Sequence, residues 1–216
     1  MCALNIVGGH VALDLVNTVE PRVPGGTDHH DHLSSPEDLL RWARRVELVD
    51  AAEAEAVRAA WTTSPGAGAQ ALHAALDIRE ATYDVLLAAL GSQVRATTPA
   101  GLEVLSLRWS AATARTSLTL SVPPTGVVTL DVGTTPALLV ADRLAHAAVE
   151  LLRTVDARQL KVCPLAEGGC GWIFLDRSRN GSRRWCSMQD CGAHAKARRL
   201  TLRRRAARTD EAGQHS

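Results

Sequence analysis

Cys163, Cys170, Cys186 and Cys191 are the residues of this chain best suited to chemistry. They are spaced C-x6-C, then fifteen residues, then C-x4-C. Two ligand pairs separated by a loop is the pattern of a metal knuckle, because soft thiolates hold Zn²⁺ tetrahedrally. Four sulfurs leave no coordination position open to a substrate, so the centre they imply is structural, one Zn²⁺ per chain. The competing reading is four unrelated reduced thiols. The opening MCALNIVGGHVALDLV has neither a basic leader nor a cleavage site, which predicts a cytoplasmic protein whose cysteines stay reduced and favour metal over disulfides. The fifth cysteine, Cys2, stands apart and reads as an inert thiol.

Cations crowd around and beyond these cysteines. The formal net charge of +1 conceals −7 over residues 1–176, +10 over residues 177–208 and −2 over the last eight. Dense local positive charge attracts a polyanion, while the acidic remainder discourages indiscriminate binding. Residues 193–208 predict a helix. Ala193, Ala197, Leu200 and Ala207 form an apolar stripe able to dock on the metal module. Lys196, Arg199 and Arg203 form a cationic stripe flanked by Arg198 and Arg205. With Arg179, Arg183 and Arg184 from between the cysteine pairs, they are candidate contacts to double-stranded DNA, since guanidinium suits bidentate phosphate and guanine recognition. The bland alternative is a solvated basic face that covers the acidic N-terminal part. A metal staple also answers a size problem, because residues 163–191 are too few for a core of their own. Trp172, Ile173, Phe174, Trp185 and Met188 are expected to pack around the metal. Gly168, Gly169, Gly171 and Gly192 are expected to let amides turn towards the sulfurs.

Other candidates carry less. His29, His30, Asp31 and His32 could ligate a transition metal or simply face water. Asp14 and Asn17, three apart, are candidates to line an effector pocket, although capping a turn is the simpler role. Trp42, Trp61 and Trp109 fall on apolar helical faces and read as core, with an effector pocket as the second reading. No P-loop, G-x-S-x-G or Rossmann pattern occurs, and no nucleophile pairing suggests an enzyme. No run of eighteen apolar residues argues for a membrane span.

The elements that must position these residues are mainly helical. Ser35-Pro36-Glu37-Asp38 starts one helix and Asp50 another, running to about Trp61. A long helix spans Gln70–Leu90, the next follows Pro99, and another covers Ala137–Thr154. Residues 21–35 read as a loop. Between the helices, Thr116–Val122 and Gly126–Val132 alternate as a β-hairpin. The fold class is therefore mainly α with a small β-hairpin (α+β). The expected organisation is a helical domain over 1–157, a four-cysteine module over 158–208 and a disordered tail over 209–216.

The stretch from Cys163 to Arg199 closely resembles the CGNR zinc finger of bacterial transcription regulators, through W-x-F-x-D-x-S-x-N, R-W-C-x-M and C-G-x-x-x-K. The opening GGHVALDLVNTV resembles the start of the ABATE domain, which precedes that finger in the family and is proposed to sense stress or small molecules. The resemblance implies that the four cysteines are the zinc ligands. It further implies a DNA-binding finger behind a sensing or dimerising body, with a small-molecule effector and a homodimer as partners. The alternative is a protein-interaction or dimerisation module whose zinc finger is purely structural. Two departures stand out. Gly192-Ala193-His194 replaces Gly-Asn-Arg, and the first cysteine pair is wider than usual. His194, three residues after Cys191, is an alternative fourth ligand or an exposed, phosphate-facing side chain.

Overall fold

The computed structural model describes residues 4–23, 29–91, 98–120 and 128–202. The helical part begins with a short helix, α1 (Val11–Val16), where the His10 ring accepts the Ala12 N–H at 3.2 Å. The next two starts follow from their caps. In α2 (Pro36–Arg45) the Ser35 hydroxyl accepts the Asp38 N–H and Pro36 opens the first turn. In α3 (Ala51–Thr63) Asp50 and Glu53 cap each other's backbone N–H groups at 2.8 and 2.9 Å. The long α4 (Ala67–Ala89) starts after Gly66, three residues earlier than periodicity suggested. It packs against α1, α5 (Thr98–Thr113) and α6 (Leu139–Thr154). Leu13, Leu15, Leu39, Leu40, Ile78, Leu86, Leu144 and Leu151 fill the space between these helices and are fully buried. An aromatic content of 3% leaves the core to aliphatic side chains and alanines, as the composition implied.

Three short antiparallel pairs join the helices. Strands β1 (Val19–Glu20) and β2 (His30–Asp31) close the loop that the sequence left open. The expected hairpin is present as β3 (Thr116–Leu120) and β4 (Val128–Val132), with Leu118 facing Leu130; its turn lies outside the described residues. The third pair is β5 (Leu160–Val162) with β6 (Ile173–Leu175). Bidentate ion pairs fasten the layers, with Arg79 on Asp31 at 2.8 Å and Arg115 on Asp142 at 2.6–2.8 Å. Burial alone would raise the Asp31 carboxyl, but the Arg79 bonds and charge outweigh it and hold it below its ordinary value.

The tryptophans divide. Trp42 is buried and Trp61 donates its indole N–H to Ala137 at 3.0 Å, but Trp109, expected in the core, is 38% exposed on α5. The hydrophobic core does not stop at residue 157. Cys163, Cys170, Trp172, Ile173, Phe174, Leu175, Trp185 and Cys186 belong to the same buried cluster as α1, α2, α4 and α6. No helix among the described residues is long and apolar enough to cross a membrane.

Candidate metal centre and nucleic-acid interface

The first knuckle is the tip of a hairpin. Backbone pairing of β5 with β6 continues one step further, where the Cys163 N–H donates to Trp172 O at 2.8 Å. This leaves Cys163 on one limb and Cys170 on the other. Between them, residues 165–167 make a 3₁₀ turn. The glycines act differently from the expectation. The Gly169 and Gly171 N–H groups donate to the Pro164 and Cys163 carbonyls, closing the turn rather than reaching sulfur. Gly171, at φ +77°, is required sterically as well, since a Cβ there would stand 2.3 Å from Arg22 O.

The second knuckle precedes the last helix. Ser187 caps a π-helical turn over Met188–Gly192, and α7 follows over residues 193–202. Cys186 enters this turn and Cys191 sits within it. All four sulfurs lie within 4.8 Å of one another, with Cys170–Cys186 at 3.4 Å and Cys186–Cys191 at 3.6 Å. Four thiolates about 2.3 Å from a tetrahedral Zn²⁺ stand roughly 3.8 Å apart, so the pocket has the dimensions of a zinc centre. Three of the cysteines are buried and Cys191 is half-buried. The surrounding sulfurs, then burial, push the Cys170 thiol up from its ordinary value; a dication at the centre supplies the charge that lets such thiols ionise. His194 is exposed and outside the sulfur group. That group is the only set of three or more potential ligands among the described residues, so His29, His30 and His32 do not converge with others on a metal. Cys2 lies outside the described residues.

A loop organised by Asp176 lies between the knuckles. Its buried carboxylate accepts Lys161 Nζ at 2.6 Å, the Ser178 N–H and hydroxyl at 2.9 and 2.6 Å, and the Arg183 N–H at 2.9 Å. Lys161 and then Ser178 hold that carboxyl well below the usual range. Lys161 also reaches the Gly181 and Arg183 carbonyls, so one ammonium and one carboxylate set the whole loop. Neither residue stood out in the sequence. Asp176 belongs to the W-x-F-x-D motif without an evident role there, and Lys161 falls outside every motif.

The cations expected to contact DNA separate into three sets. Arg179, Lys196, Arg198 and Arg199 are exposed and make no hydrogen bond or ion pair among the described residues. The neighbouring Arg177, exposed in the same loop, escaped the sequence reading. Arg184 pairs with Glu167 and lies 5.8 Å over the Trp185 ring. Arg183 is placed otherwise than expected. Its guanidinium stacks 4.4 Å over Phe174 and donates to the Val7, Leu175, Trp185 and Cys186 carbonyls, so it braces the module from within. Arg203 and Arg205 lie outside the described residues. The apolar stripe of α7 is also corrected. Ala193, Ala197 and Leu200 face solvent, and the helix docks instead through Ala195. Met188, expected against the metal, is 67% exposed. The π turn adds a residue to its helical repeat and rotates everything after it, which a regular 3.6-residue period cannot anticipate.

The module is stitched to the N-terminal segment chiefly through residues 170–175. The Asn17 amide accepts the Ile173 N–H at 3.0 Å and donates to Ile173 O at 2.9 Å. Trp172 donates to Val19 O, the Arg22 N–H to Cys170 O and the Leu175 N–H to Gly8 O. Asp14, buried, accepts the Gly8 N–H at 2.8 Å. Both residues considered for effector binding are thus sealed in contacts of the chain itself.

Comparison with known proteins follows the same division. The CGNR zinc finger family matches residues 159–205. The ABATE family, described as "Putative stress-induced transcription regulator", matches residues 9–155. No curated protein matches the chain. The finger match and the sulfur geometry together make Cys163, Cys170, Cys186 and Cys191 a site for one Zn²⁺. Since the longer match takes in well over half of the sequence, the chain belongs to the ABATE family, with a CGNR zinc finger following its helical body.

Proposed function

We propose that the zinc finger binds double-stranded DNA and that the helical body conveys a signal to it, making the protein a cytoplasmic transcription regulator that acts as a homodimer. One observation carries the DNA reading. Arg177 and Arg179 on the Asp176 loop, with Lys196, Arg198 and Arg199 on α7, are exposed cations on the two segments that the cysteine knuckles anchor. Zinc sets the two knuckles that hold loop and helix, so the metal supports DNA contacts without touching DNA. Four sulfurs fill its coordination, which supports a regulator rather than a catalyst. Thiolate ligation also suits a reducing compartment.

The test is fluorescence anisotropy of a random-sequence duplex with the zinc-loaded protein across a salt series. Replacing Lys196, Arg198 and Arg199 with Ala is expected to flatten the slope of log affinity against log salt by up to roughly 0.9 per lost phosphate contact. An unchanged slope removes α7 from the interface.

A second reading has the finger docking another protein. It is favoured by Met188, Leu200 and Leu202, apolar and exposed beside the same cations. Under that reading the wild-type chain shows no salt-dependent duplex binding at all.

A further inference from the structure

A cavity of about 130 Å³ on the helical body is unused by the DNA reading. Leu4, His32, Asp38, Arg41, Trp42 and Arg45 line it. Two of these carry buried nitrogens without partners, Trp42 Nε1 and His32 Nε2. Trp42 is only 4% exposed. Both nitrogens have essentially no accessible surface, so neither meets an occupant of the cavity directly, and the two rings serve as reporters beside it. Arg41 and Arg45 stand one helical turn apart on the same rim. Arg41 is held by Asp38 at 3.0 Å, and Asp38 also accepts from the Ser34 and Ser35 hydroxyls. Arg45 has no hydrogen bond or ion pair among the described residues. The Asp38 charge is therefore matched by Arg41, and Arg45 leaves the cavity cationic.

Leu4 and the indole make much of the lining apolar. An unengaged guanidinium above an apolar wall complements an organic acid rather than a bare inorganic ion. The volume is close to that of an apolar cavity of about 150 Å³ that accepts benzene. We infer that this cavity binds a small monocarboxylic acid of about the size of benzoate, with Arg45 taking the carboxylate and Leu4 and the Trp42 indole face covering the apolar part. The output path is short. Leu4 lines the cavity, and its neighbour Asn5 donates to Asp190 at 3.0 Å, inside the turn that holds Cys191 and leads into the cationic α7. The inference rests on the sensing role proposed above for its purpose, but binding itself needs no DNA.

The experiment is a titration of the full-length, zinc-loaded protein with benzoate, benzamide and inorganic phosphate, followed through indole and imidazole NMR signals. The Trp42 N–H signal is assigned by its loss in W42F, and the His32 ring independently by H32Q. Benzoate is expected to shift both signals saturably, at least tenfold more weakly in R45A and with partial recovery in R45K; Arg45 is exposed, so neither change disturbs the core. Benzamide and phosphate are expected to leave both signals in place. Three results overturn the inference: no saturable shift with benzoate, equal affinity in R45A, or benzamide or phosphate binding as tightly as benzoate. Benzoate binding without duplex binding overturns the DNA reading alone, and duplex binding without benzoate overturns this one alone.

Discussion

Asn17 is fully buried, and its amide makes both hydrogen bonds that a strand neighbour would make to Ile173. It therefore fastens the end of α1 to the strand beside the first zinc knuckle. Replacing it with Ala leaves the Ile173 N–H and C=O without partners in a dry interior, at a cost of about 2–4 kcal/mol. Urea denaturation is expected to show that loss in the midpoint with little change in slope, and a midpoint within experimental scatter of wild type refutes the role. This role was not visible beforehand. A polar residue three positions from Asp14 is equally consistent with a cap or a pocket until its partner, 156 residues away, is known. Arg183 shows the same gap. Charge type predicted a surface contact, whereas the ring of Phe174 and four carbonyls draw the guanidinium inward. The cysteines were legible because their role depends on identity and spacing alone, which the chain states directly.

Local rules carried most of the element-level reading. Ser35, Pro36 and the Asp50–Glu53 box fixed where α2 and α3 begin, since caps act within one turn of chain. The hairpin at β3 and β4 followed from alternation. The turn before α7 was not legible, because a π-helical insertion changes which face of the helix meets the core without altering composition. Gly171 tests the other knuckle. At φ +77°, with the Arg22 carbonyl in the space a Cβ would occupy, Gly171→Ala forces the hairpin tip away from residue 22. The expected result is lower zinc affinity, read by competition with a chromophoric chelator, and a stability loss on the order of 1–3 kcal/mol. Wild-type zinc retention and stability would show that the contact yields freely.

Across the molecule, the buried cluster runs without a break from Leu13 and Leu144 to Phe174 and Cys186. Zinc removal should therefore be felt well beyond the finger. Cys186→Ser is expected to release the metal, and calorimetry should show the main unfolding transition of the whole chain moving down in temperature. The wild-type protein is expected to unfold in one transition with matching calorimetric and van't Hoff enthalpies. Two separate transitions in the wild type, with only one responding to metal, contradict the shared core. Charge divides the molecule differently from packing. An acidic body and a basic C-terminal side were plain in the sequence, while the interdigitation of Trp172 with Val19, or of Gly171 with Arg22, depends on long-range register that no local pattern encodes.

That stitching bears on protein engineering. A finger cut out at residue 159 would travel without Gly8, Asn17, Val19 and Arg22, leaving an indole and several backbone groups facing water with their mates left behind. It is not a cassette to be grafted onto a foreign host; a workable transplant would have to bring its N-terminal strap along.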